Sequence, residues 1–259
     1  RRPGQDIQQH FLEVFCSTAG LALLMISIDL ATDHRWNLSN DDTFHQIMEL
    51  CEAFVDLVLG GPPCATVSRA RHNSHAQGPR PLRLRWCIWG RPGLSQYEAS
   101  RAAEANDLWL KYMCVCECVT GHGGSHLFEH PEDPGVDPYP SLLATTDFLE
   151  FEKRTGATRV NIKQCALGAP VKKGTDLSSN FVGIGDMRRF QCPGLSDSHS
   201  HPGKSEGLNE RGEFHTRRLQ TYPPDMCREI AWHAFLTLKV MHEKGSGPTG
   251  YVHLAQAVP

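Results

Sequence analysis

No stretch of the chain is apolar for long enough to cross a membrane as a helix. No charged-then-apolar leader opens it either, so secretion has no support and an intracellular protein, nuclear or cytoplasmic, is expected. A strong charge of one sign is also missing. The formal net charge is −3, so bulk electrostatics offers no case for nucleic acid and any such case must be local. The ten cysteines follow no regular framework, and several fall inside expected helices or strands. That excludes a disulfide-stapled scaffold and points to reduced thiols in the core. The chain opens Arg-Arg without a methionine, which is what a piece of a longer protein would show.

What is present is length for one sizeable core: 259 residues, of which 40% are hydrophobic. The organising stretch runs from Val55 to Cys64, an apolar strand that enters Gly60-Gly61-Pro62-Pro63-Cys64. Two prolines remove donors and end the strand, and two glycines let the backbone bend where a Cβ would clash. Cys64 is therefore expected on a loop at a strand's carboxyl end, where open α/β sheets bind ligands. It stands there either for chemistry or for close packing. Arg69 and Arg71 follow at once and are expected to lower its pKa, leaving it reachable and partly ionised.

Other elements follow in order. Phe11–Phe15 reads as a strand, followed by a small-residue turn from Cys16 to Gly20 and a helix start. Met25–Asp29 reads as a second strand ending in an acid, but too few residues separate Gly20 from Asp29 for a helix and a strand. Either Asp29 belongs to a later strand or, the favoured reading, a helix and a strand are missing there. Ser39 or Asn40 can cap a helix reaching Phe54. The stretch from Arg69 to Arg91 sets Arg69, Arg71, His72, Arg80, Arg83, Arg85 and Arg91 among Trp86 and Trp89. That pattern suits a flexible strand of nucleic acid, and it suits equally a solvated loop with packed tryptophans. Ser95-x-x-Glu98 is a capping-box start for a long helix to about Cys118. Helical spacing spreads Cys114, Cys116 and Cys118 round the axis, against a metal site. Leu127–Pro131 is another strand-to-turn with Glu129 near its end. A helix near Thr146–Lys153, a strand at Thr158–Gln164 and a last helix from Tyr222-Pro223-Pro224 to about His242 complete the pattern. Residues 181–221 are rich in Gly, Ser and His and read as loosely structured. Within them Cys192, His199 and His201 can ligate zinc with a fourth group, although the spacing fits no standard pattern and no metal ligands are assigned.

Gly-Gly-Pro-Pro-Cys64 after a strand resembles the nucleophile loop of cytosine-C5 DNA methyltransferases, and Ala65–Arg71 resembles a divergent, retroelement-associated branch of that family. Glu129-His130-Pro131 resembles the family's Glu-Asn-Pro motif with His for Asn. Cys165–Thr175 resembles its eighth motif, with Gly168 and Pro170 matching and Lys173 in place of the first Arg. The resemblance runs from about Phe11 to Leu236. It implies a Rossmann-like α/β fold with a mostly parallel sheet and flanking helices, occupying residues 1–244, with 181–221 in the target-recognition position and 245–259 as a flexible tail. It implies methyl transfer from S-adenosylmethionine to C5 of a cytosine in DNA. Cys64 would be the nucleophile and Glu129 the group on N3. Phe15, Cys16, Ser17, Gly20 and Asp29 would hold the cofactor, and Ser68, Arg69, Arg71 and Lys173 the substrate. The eroded first and eighth motifs leave a second reading, an inactive methyltransferase-like domain that binds nucleic acid or a retroelement partner. A plain α/β domain with structural cysteines is the third.

Overall fold

Local signals set most of the elements. The computed structural model describes residues 11–18, 22–29, 37–72, 79–203, 207, 215 and 221–244. Two strands come first, β1 (Phe11–Thr18) and β2 (Ala22–Asp29). Helix α1 (Asp41–Phe54) starts where the Asn40 side chain accepts from the Thr43 amide. Strand β3 (Leu57–Gly60) then leads into the Pro-Pro turn. Helix α2 (Gln96–Gly121) begins on the expected capping box, with Ser95 and Glu98 each capping the other's amide. Next come β4 (Ser125–Pro131), α3 (Thr146–Thr155), β5 (Thr158–Lys163), β6 (Gly174–Ser179) and α4 (Pro224–Glu243). Proline at the first position of α4 suits a helix start, since its missing N–H would have no partner there.

The result is a mixed α/β fold. Strands β3, β4, β6 and β5 form a mixed four-stranded sheet, and β1 and β2 extend it beyond β3, in the order β2-β1-β3-β4-β6-β5. Among the described strands only β3 and β4 are parallel. The remaining ladders are antiparallel, which corrects the expectation of a mostly parallel sheet. Between β5 and β6 the reason is connection length. A parallel neighbour needs a crossover of about a dozen residues or more. Residues 65–124, including α2, provide one between β3 and β4, whereas residues 164–173 between β5 and β6 only turn the chain back. Strand β6 has no strand signal of its own: Gly-Thr-Asp-Leu-Ser-Ser contains residues depleted from strands, and its position between β4 and β5 imposes the conformation.

Alternation along the strands divides the core in two. Val58 and Phe128 face α1, α2 and α3, where Ile47, Trp109, Tyr112, Phe148 and Phe151 pack. Phe128 meets the Phe148 ring edge-on at 5.0 Å between centroids. Leu57, Leu59, Leu127 and Leu177 face the other way, onto Ile184, Met187, Met226 and Ile230. Since side chains alternate at a period of two, Glu129 leaves β4 on the same side as Leu127, towards α4.

Candidate active site

The parallel pair builds the site. Gly60 lies beside Phe128 in the β3–β4 register, so the residues that follow, Gly61 and Glu129, emerge together at one sheet edge. Their approach is close: a Cβ on Gly61 would stand 2.8 Å from Glu129 Oε2 and 2.8 Å from the Tyr222 hydroxyl. This is the physical need for the second glycine of the motif. Pro62 and Pro63 are buried and Cys64 is half-buried. Beyond Cys64 the chain turns, with the Val67 amide donating to the Cys64 carbonyl at 3.0 Å.

Glu129 is 6% exposed. Its Oε2 accepts a hydrogen bond from Tyr222 Oη at 3.0 Å. Its Oε1 is buried and accepts no hydrogen bond, while Lys173 Nζ stands 3.9 Å away. The Lys173 ammonium also lies over the Tyr222 ring at 5.8 Å. Burial pushes the Cys64 thiol up, the Glu129 carboxylate adds to that, and Lys173 works against both. The cation acting on Cys64 is thus Lys173 rather than Arg69 or Arg71, and the expected lowering of the thiol gives way to a rise. Burial, and then Glu129, hold the Tyr222 phenol well above its usual range, so it stays a donor. The arrangement is a thiol, a buried carboxylate with one oxygen that accepts no hydrogen bond, and an ammonium, all at one edge.

Of the expected substrate residues, Lys173 joins this site. Ser68, Arg69 and Arg71 follow Cys64 but are engaged elsewhere. Ser68 Oγ accepts from the Ala70 amide at 3.3 Å, and the Arg69 guanidinium stacks over Tyr139 at 4.8 Å. Arg71 Nε donates to the Ala65 carbonyl at 2.5 Å. Arg83 departs furthest from both a nucleic-acid-binding stretch and a solvated loop. It is fully buried and donates to Thr66, Ile88, Asn106 and Ala102, tying residues 83–88 to the Cys64 turn and to α2. Arg80 pairs with Glu98 and Arg85 with Asp133. Residues 73–78 of the same stretch lie outside the described residues.

The cofactor residues are not gathered as expected. Phe15, Cys16 and Ser17 belong to β1, and the strand that follows is β2, where a helix N-terminus was expected. Because β1 is antiparallel to β3, Phe15 lies beside Leu57 at the start of β3, away from the Cys64 edge. Asp29 pairs with Phe11 and so returns towards the Gly60 end. Gly20 and residues 245–259 lie outside the described residues. The Phe15–Ser17 segment therefore does not fit a donor pocket beside Cys64. Compared with protein-family models, with curated proteins and with solved structures, the chain matches none.

Tyr222 was missed as a site residue. Its only local signal is Pro-Pro at a helix start, and Glu129 is far from it along the chain. A second cluster lies where β5 ends: Cys165, Cys192, His199 and His201 bring one donor atom each within 4.8 Å of one another. Cys165 is the fourth group that the Cys192–His201 stretch lacked.

Proposed function

We propose that the Cys64–Glu129 edge receives a cytosine base of DNA, and that the chain is a divergent cytosine-C5 methyltransferase-like domain with a reduced Rossmann-like sheet. The observation that carries this reading is the buried Glu129 Oε1, without a hydrogen bond, beside Cys64. A carboxylate accepts from the N4 amino group of cytosine and from N3 once it is protonated, and it rejects the carbonyl that thymine presents there. C6 is reached only after the base has left the stack. The Cys64 thiol would give its proton to Glu129 as the sulfur adds to C6; the S–C6 bond forms, the C5=C6 pair becomes C4=C5, and the C4=N3 pair takes that proton at N3 from Glu129. Lys173 offsets the charge of Glu129 as the thiolate forms. S-adenosylmethionine is the methyl donor this chemistry requires.

The antiparallel pairing of β1 and β2 where a helix was expected favours a second reading, a domain that binds cytosine in DNA without transferring methyl groups. Incubation with duplex DNA carrying 5-fluorocytosine and S-adenosylmethionine separates the two, because the fluorine blocks release of the enzyme after methylation. A covalent adduct that is lost in Cys64→Ser supports the transferase. DNA binding that weakens in Glu129→Gln, with no adduct, supports the binding domain. Absence of both leaves a plain α/β domain. Calorimetric titration of S-adenosylmethionine tests the donor directly, and weak binding is expected.

A further inference from the structure

We propose that Cys165, Cys192, His199 and His201 form a four-ligand zinc site that locks residues 190–203 onto the turn carrying Lys173. The distances among Cys192, His199 and His201 are close to those of a tetrahedron's edges. With Zn–N of about 2.0–2.1 Å and Zn–S of about 2.3 Å, tetrahedral ligands stand about 3.3 Å apart for two nitrogens and about 3.6 Å apart for sulfur and nitrogen. Here His199 Nε2 and His201 Nε2 are 3.1 Å apart, and Cys192 Sγ is 3.6 Å from each of them. The two imidazole rings stand at 87° with their Nε2 atoms next to each other. Cys165 closes the fourth corner within 4.8 Å. Both cysteines are free thiols.

Local structure makes the cluster. Pro193 and Gly194, the latter at φ 93°, turn the chain after Cys192. Ser196 and His199 exchange backbone hydrogen bonds, which folds His199 back towards Cys192. Cys165 comes from the 3-10 turn Gln164–Leu167 after β5, so the four ligands join two separate segments. Each segment is already fastened nearby: the Lys163 amide donates to Phe190, and the Gly203 amide donates to Pro170 at 2.8 Å. A Cβ on Gly203 would meet Val171 at 2.8 Å, which shows how tightly the closing residue is seated. Two thiolates and two neutral imidazoles fill a tetrahedral shell and leave no open position, so the site is structural. Binding the ion releases the thiol protons, and its free energy goes into holding the two segments together.

The test uses the whole chain, purified without chelator. Mass spectrometry of metals is expected to find one zinc per chain, retained in Cys114→Ser and lost in Cys165→Ser and in Cys192→Ser. Chelation is expected to lower the thermal midpoint by roughly 5 °C or more. Cobalt exchanged into the wild-type chain is expected to show the intense visible bands of a tetrahedral ion and a thiolate charge-transfer band. This readout holds even if a variant does not fold. Substoichiometric zinc, retention of zinc in both cysteine variants, or weak octahedral cobalt bands would overturn the site. None of these outcomes bears on cytosine binding.

Discussion

At the scale of single residues, the Cys64 thiol is the group on which the proposed chemistry turns. Two charges of opposite sign flank it, and they act in opposite directions. Removing the cation costs the thiolate a favourable neighbour, so Lys173→Met should move the alkylation profile of Cys64 to higher pH. Removing the anion relieves the thiolate, so Glu129→Gln should move it to lower pH. Site-resolved mass spectrometry after timed iodoacetamide treatment reads both shifts, and a profile unmoved by either change would place the two charges away from the thiol. Because the thiol is half-buried and pushed up, it should react more slowly at neutral pH than the exposed Cys227. Sequence reasoning placed Cys64 and Glu129 at strand ends, since a strand running into Pro-Pro or into Glu-His-Pro ends in a legible way. It misjudged the ionisation, because Arg69 and Arg71 are neighbours along the chain while Lys173 is the neighbour in space.

At the scale of elements, the stretch from Arg69 to Arg91 shows how composition misleads. Its arginines suit contact with nucleic acid or with solvent, yet Arg83 is a buried strut whose four hydrogen bonds all end on neutral oxygens. Burial, with Arg71 nearby, brings its pKa down to about 10, so it stays charged at neutral pH. Arg83→Ala would leave the Thr66, Asn106 and carbonyl acceptors without their donor. The expected loss is about 3 kcal/mol or more in urea unfolding. Arg83→Lys should recover little of it, because one ammonium cannot span acceptors on the Cys64 turn, residue 88 and α2 together. A loss below about 1 kcal/mol for Arg83→Ala would show that the strut is dispensable.

At the scale of the whole molecule, two buried histidines on β4 couple folding to pH. His126 and His130 point into the face that holds Phe128, and burial lowers each to about 4 from the ordinary 6.5. Each uses Nδ1, His126 with Thr120 and His130 with the Pro131 carbonyl, and each has a buried Nε2 with no hydrogen-bond partner. A proton added at Nε2 would therefore be buried without an acceptor. Because the folded values lie below the unfolded ones, the folded state binds fewer protons. The stability is fully present above about pH 6.5 and is lost as pH falls towards about 4, by about 3 kcal/mol for each histidine. Urea midpoints measured across that window should fall steeply, and His130→Asn should remove roughly half of the slope. An unchanged slope in that variant would mean that His130 does not carry it.

Caps, turns and breakers were determined by the sequence alone. The Asn40 and Ser95 caps, the proline start of α4, the end of β3 at Gly-Gly-Pro-Pro and the end of β4 at Glu-His-Pro each depend on residues within a few positions. Steric and hydrogen-bonding rules act at that range whatever the rest of the chain does. Tertiary structure alone decided the strand order, the strand character of the polar β6, the burial of Arg83, the bond from Tyr222 to Glu129 and the arrival of Cys165 beside Cys192. Each of these joins residues far apart in sequence, and what selects them is which partner lies across the sheet or across the core. That choice is made by connection length and by the burial of both sheet faces together, and no short window of sequence contains it.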